Sequence, residues 1–206
     1  MKLRSDSFEN GKSISSEFAM GTVDGFGANR NPHLAWSDVP TGTRSFALLC
    51  IDPDALSDAS LAGKAGVEIP LDHVRADFVH WAMADIPADL REIAKGSASD
   101  GISERGKRNP GGPQGAKHGL NDYTGWFAND TNMSGDYRGY DGPYPPANDL
   151  RTHRYFFRLF ALDVPSLDLP ERFDAKDVLR AMQGHVLAEA LTYGTYSLHS
   201  KANIRQ

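Results

Sequence analysis

The stretch Gly142-Pro143-Tyr144-Pro145-Pro146, followed shortly by His153-Arg154-Tyr155 running into Phe156-Phe157-Arg158-Leu159-Phe160, sets a stiff loop directly against a strand. Proline fixes φ and removes an N–H donor, so the first part has a restricted backbone. From Arg154 to Val164 the residues alternate, with Tyr155, Phe157, Leu159 and Ala161 on one side and Phe156, Arg158, Phe160 and Leu162 on the other, as in a strand. A strand that opens with His and Tyr aims their polar tips at whatever the loop encloses. The junction predicts a preformed polar pocket at a sheet edge.

Two further strands are expected upstream. Arg44 to Ile51 contains Phe46-Ala47-Leu48-Leu49-Cys50-Ile51, apolar on both faces and therefore expected to be buried on both sides of a sheet. It meets Asp52-Pro53-Asp54-Ala55, where proline predicts that the strand stops with two carboxylates at its end. Asp77 to Ala84 is apolar except for His80 and closes at Asp85-Ile86-Pro87. Alternation sends Trp81 away from His80 into the core, and Arg154 away from His153 and Tyr155 towards a structural ion pair. Taken alone, His80 reads as a satisfied core histidine or as a pocket residue.

The rest of the chain frames these strands. Gly25 to Pro32 is a loop, and a long Gly/Pro-rich loop spans about 95–121, a length that favours either one wall of a pocket or a solvated insertion. Within it Gly111-Gly112-Pro113-Gln114-Gly115-Ala116-Lys117 lacks the Gly-Lys-Ser/Thr ending of a phosphate-binding loop and is rejected as one. Asp174 can cap a helix over about 174–193, with Val178, Leu179, Met182, Val186, Leu187, Ala190 and Leu191 at helical spacing and Gly194 ending it, a stripe expected to pack on the core. One domain over 1–206 is expected, mostly β with peripheral helices.

Composition excludes several classes. The 22 Lys and Arg against 27 Asp and Glu give a net charge of −5, which argues against a broad nucleic-acid surface. Cys50 is the only cysteine and sits in an apolar run, where a buried, inert thiol is expected. No stretch has the length of a signal core or a membrane span, and no basic amphipathic helix or lipidation motif points to membrane insertion, so a cytoplasmic protein is expected.

Asp52-Pro53-Asp54-Ala55, then His80-Trp81 with Ile86-Pro87, then Gly142 to Pro146 with His153-Arg154-Tyr155, resembles in order and spacing the phosphatidylethanolamine-binding protein family. Within it, the chain looks like the bacterial members called Raf kinase inhibitor-like proteins. The resemblance implies a β-sandwich-like fold, a large sheet on a smaller one with helices at the side, and one small pocket for phosphate-type anions. By carry-over it implies Asp52, Asp54, His80, Tyr144, Pro145, His153 and Tyr155 as ligand-binding residues. In many relatives a small residue occupies the place of Tyr144, and its amide faces the anion. Leu56 replaces a proline usual in the first motif, and Ala147 to Thr152 lacks the usual glycines.

The physics of such a pocket stands apart from the resemblance. Histidines, a tyrosine hydroxyl and a loop amide supply donors to a phosphate oxygen, and a carboxylate can hold a histidine charged or fix its tautomer; Asp52 is assigned that part. The leading expectation is a non-enzymatic protein binding a small anion (phosphate, a phosphoethanolamine-like group or a carboxylate), with regulation of a protein partner as one use of that binding. A second is a hydrolase or transferase using His153 or His80 as base with Asp52 orienting it. A third, a kinase or protease inhibitor, has only the family name behind it. No nucleophile elbow and no metal-ligand spacing occurs, and neither cofactor nor metal is expected. A homodimer is one expectation, with the Tyr and Trp residues between Tyr123 and Tyr140 as its interface or as pocket lining.

Overall fold

Phe46, Leu48 and Cys50 face one hydrophobic cluster while Ala47, Leu49 and Ile51 face another, so this run lies inside a sheet covered on both sides. The computed structural model describes residues 1–202. Its elements are β1 (Lys2–Arg4), β2 (Gly21–Thr22), β3 (Gly25–Phe26), β4 (Leu34–Ser37), β5 (Ser45–Leu56), β6 (Arg75–Pro87), β7 (Glu92–Ile93), β8 (Lys117–His118), α1 (Tyr123–Trp126), β9 (His153–Leu162), α2 (Ala175–Ala181) and β10 (Val186–Tyr196). The large antiparallel sheet has the order β10-β9-β5-β6-β8 and the smaller one the order β1-β4-β7, while β2 and β3 form a separate hairpin.

The two sheets pack as a sandwich. Leu34 and Trp36 of β4 and Ile93 of β7 share a cluster with Phe46, Trp81, Tyr155 and Phe157 of the large sheet, and Trp36 meets Phe46 edge to face at 5.4 Å. Truncating a ring buried this completely costs about 3–5 kcal/mol. The other face of the large sheet takes α2, through Ala175, Val178 and Met182 against Leu49, Ala82 and Phe160. Asp174 caps α2 by accepting from the amides of Lys176 and Asp177, and the Asp177 side chain accepts in return from the Asp174 amide, a reciprocal capping box.

The structure corrects two boundaries. The helix expected over 174–193 ends at Ala181, and residues from Val186 form strand β10. Gly184, at φ +81°, breaks the helix in a conformation suited to glycine. Beyond it Ala190 and Thr192 turn inward while Leu187 and Leu191 are exposed, a period of two. Strand β5 does not stop at Pro53. Between Asp52↔Phe78 and Ala55↔Ala76 it carries one residue more than β6, and its ladder with β9 has already ended at Ile51↔Phe156. A bulge on a strand flank free of its second partner accommodates the proline.

The long loop is anchored rather than a free insertion. Asn31 accepts from the amides of Ala98 and Ser99, the Ser99 hydroxyl donates to the Asn29 carbonyl at 2.6 Å, and β8 pairs with β6. No helix among the described residues is long and apolar enough to cross a membrane.

Candidate functional site

Three neighbouring strands bring Asp52 (β5), His80 (β6), and His153 and Tyr155 (β9) to one end of the large sheet, on the face that meets the smaller sheet. All four are buried. His80 arrives there through a bulge: Cys50 pairs with Trp81 and Ile51 with Val79, leaving His80 as the extra residue on β6. The alternation that should oppose His80 and Trp81 is thereby cancelled. Trp81 joins the sandwich core, and His80 meets Tyr155, of the same cluster, edge to face at 5.1 Å. Bulges re-aim side chains in this way.

His153 is clamped between two carboxylates. Its Nδ1–H donates to Asp52 Oδ2 at 2.7 Å and its Nε2–H to Asp149 Oδ2 at 3.1 Å. Burial works against the charged imidazole, but Asp52 and Asp149 outweigh it and raise the pKa to about 9. Burial also opposes ionisation of Asp149, yet His153 and Arg75 bring it down to about 2. Asp52 in turn accepts from the Asp54 amide at 2.7 Å through Oδ1.

Asp54 lies beside this chain of bonds but spends its oxygens elsewhere. Arg154 contributes its amide at 3.1 Å, Nε at 2.7 Å and Nη2 at 3.0 Å, and Arg151 its Nη1 at 3.0 Å. Arg154 thus makes the ion pair its strand position implied. Asp52, Asp54 and Asp149 are thus matched by Arg75, Arg151, Arg154 and charged His153.

His80 has a different state. Its Nδ1 lies 2.7 Å from the Asp141 carbonyl, which can only accept, so Nδ1 carries the proton. Burial lowers its pKa against the pull of Asp52 and Asp141, leaving a neutral ring whose Nε2 has no protein partner among the described residues. Beside it the Tyr155 hydroxyl is buried and likewise unpartnered. Burial pushes its pKa well above the usual tyrosine value, so it keeps its proton.

The Gly142–Pro146 loop closes the arrangement. Asn29 accepts from the Gly142 amide at 2.8 Å, Tyr123 donates to the Gly142 carbonyl at 2.8 Å, and the Pro143 carbonyl accepts from Met20 and Gly21. Pro145 is buried in this loop. The Tyr144 ring lies on Gly21, with its edge towards Phe26, and is 40% exposed. The Tyr144 amide donates to no group among the described residues. Tyr123, Tyr137 and Tyr140 are buried; of the aromatics in that segment Trp126, at 50%, is the exposed one, which leaves little aromatic surface for the interface considered above.

Residue-by-residue reading missed two acids that organise the site. Asp149 sits four residues before His153, in the segment already marked by its lack of glycines. Asp141 accepts from Asn29 at 2.8 Å, from Asn121 at 2.8 Å and from Lys107, which joins both loops to the carbonyl that holds His80. Its position just before Gly142 was the available signal. Open hollows of about 450 and 650 Å³ lie within 96–111 and around 63–68 with Asn148 and His199. None of the four buried site residues lines either, and the free polar groups locate the site better than hollow size does.

Comparison with known proteins adds an independent line. A family model described as phosphatidylethanolamine-binding protein matches residues 4–197. The chain is 36% identical over 196 residues to a UPF0098 protein of Methanothermobacter thermautotrophicus, covering 95% of this chain and 98% of that one. It is 35% identical over 198 residues to a UPF0098 protein of Aquifex aeolicus, covering 95% and 88%. Its fold is similar to the crystal structure of Escherichia coli YbcL, described as a member of the mammalian PEBP family, with a TM-score of 0.69 at 24% identity over 95% of this chain and 97% of that one.

Proposed function

Since this chain belongs to the phosphatidylethanolamine-binding protein family, we propose that it is a ligand-binding protein whose buried site takes a small phosphate-type anion. One observation carries the reading: the Tyr155 hydroxyl is buried without a partner. Leaving a hydroxyl unpaired costs about 1–3 kcal/mol, and a ligand oxygen would recover that cost. The free Tyr144 amide offers a second donor, and the depth of the site restricts entry to a compact headgroup. A hydrolytic role for His153 draws little support, because both ring nitrogens already donate to carboxylates and no lone pair is left to accept a proton.

The test is titration calorimetry with inorganic phosphate in a phosphate-free buffer, on the parent protein and on Tyr155→Phe. Saturable binding weakened about tenfold or more by the substitution is expected for loss of a hydrogen bond to a charged group. Absence of binding, or affinity indifferent to Tyr155, refutes the assignment.

A further inference from the structure

Donors and acceptors at the site are unequal in a way that sorts phosphate ligands. The Asp141 carbonyl fixes the His80 proton on Nδ1, so Nε2 presents a lone pair and no hydrogen. Tyr155 O–H and the Tyr144 amide are free to donate. A ligand that satisfies all three must accept at some oxygens and donate from another. A phosphodiester has only acceptor oxygens, and setting one against a bare imidazole nitrogen opposes two lone pairs. A hydroxyl on phosphorus removes the conflict by donating to Nε2 while the remaining oxygens accept.

Resting on the anion-site reading above, we infer that this site selects phosphoryl ligands carrying a P–OH group, inorganic phosphate and phosphomonoesters in their singly protonated form, over phosphodiesters. The alternative, a proton taken up by His80 itself, is opposed by burial. The groups facing the ring are Asp52 from β5, Tyr155 from β9, Phe78 on β6, and Tyr123 and Asp122 at α1, with Asp141 behind. Asp52 is engaged by His153 at 2.7 Å and Asp141 by Lys107 and two asparagines, which leaves neither free to hold a second charged imidazole.

The experiment titrates the parent protein with inorganic phosphate, phenyl phosphate and dimethyl phosphate at pH 6, 7 and 8. Dimethyl phosphate should bind at least about tenfold more weakly than phenyl phosphate at pH 6, the cost of setting one acceptor against another where a hydrogen bond would form. Phenyl phosphate loses its P–OH above a second pKa near 6, so its affinity should fall towards tenfold per pH unit. Inorganic phosphate keeps a P–OH in both of its forms over this range and should hold its affinity. Binding of phosphate with equal affinity for the diester overturns the inference and leaves the anion site standing; a parallel fall for all three ligands places the titrating proton on the protein and overturns it as well. If none of the three binds, both readings fall together.

Discussion

Asp149 and His153, four residues apart in sequence, meet at 3.1 Å inside the protein, where the imidazole also donates to Asp52 at 2.7 Å. Asp149 is held in turn by Arg75 and by the Arg151 amide. The segment 147–152 is thereby fixed by ion pairs. The same contacts make His153 a fixed positive charge rather than a proton shuttle.

Stability should therefore depend on pH at both ends. His153 has its pKa raised to about 9 in the folded state against about 6.5 unfolded. Its contribution is complete below pH 6.5 and is lost as pH rises through 9, by up to about 3 kcal/mol. Asp149 is lowered to about 2, so its contribution is present above an unfolded value near 4 and is lost as pH falls through 2. Urea unfolding at pH 6, 7.5 and 9 should show a falling midpoint that flattens in His153→Gln. An equal decline in the variant would place the alkaline loss elsewhere.

The Lys107–Asp141 pair predicts how the long loop is held. Lys107 also donates to the Tyr140 carbonyl at 3.0 Å, so one side chain ties the loop to the Tyr140–Gly142 segment. Lys107→Met leaves Asp141 with its two asparagines but without its cation, and about 3 kcal/mol of destabilisation is expected for breaking a buried pair. Hydrogen exchange read by mass spectrometry should accelerate across 95–121 ahead of β5 and β9. Uniform acceleration throughout the protein would show that the pair does not anchor this loop in particular.

The strands were legible where one period dominated. Apolar residues on both faces of 46–51 and alternation from Arg154 onward located the central strands, and the Pro-rich junction marked the loop that runs into β9. The failures share a cause. Val186, Leu187, Ala190 and Leu191 fit helical spacing, and only the β-type run Thr192-Tyr193-Gly194-Thr195-Tyr196, together with Gly184, tells against it. The bulge at His80 leaves no local mark, because it is set by pairing with β5. Asp141 matters through partners as far as 112 residues away, a distance over which sequence patterning carries no information, and Asp149, only four residues from His153, lies in an aperiodic loop whose path is held by Arg75, 74 residues away.

Asp54 is the candidate whose role the geometry redirects. Both its oxygens are taken by Arg154 and Arg151, which are partly exposed, so Asp54→Asn should cost about 1–2 kcal/mol rather than the full penalty of a buried pair. Phosphate affinity should stay within about threefold of the parent, on the tighter side, because a negative charge has been removed. Thermal unfolding and calorimetry on one preparation separate the two effects. A large loss of affinity at unchanged stability would return Asp54 to the binding residues.

Tyr144 and Gly21 form a pair whose coupling can be measured. A Cβ placed on Gly21 would lie 1.9 Å from the Tyr144 ring, so Gly21→Ala must drive the ring off its seat beside Phe26. Overpacking of this kind costs about 1–3 kcal/mol. With Tyr144→Ala already present the collision disappears, and Gly21→Ala should then be nearly neutral, giving a coupling energy of about 1–2 kcal/mol in a double-mutant cycle. The ring belongs to the residue that presents the free amide, so both single variants should also admit phenyl phosphates with bulkier ring substituents. Additive stabilities together with an unchanged ligand profile would mean that Tyr144 neither packs on Gly21 nor borders the entrance.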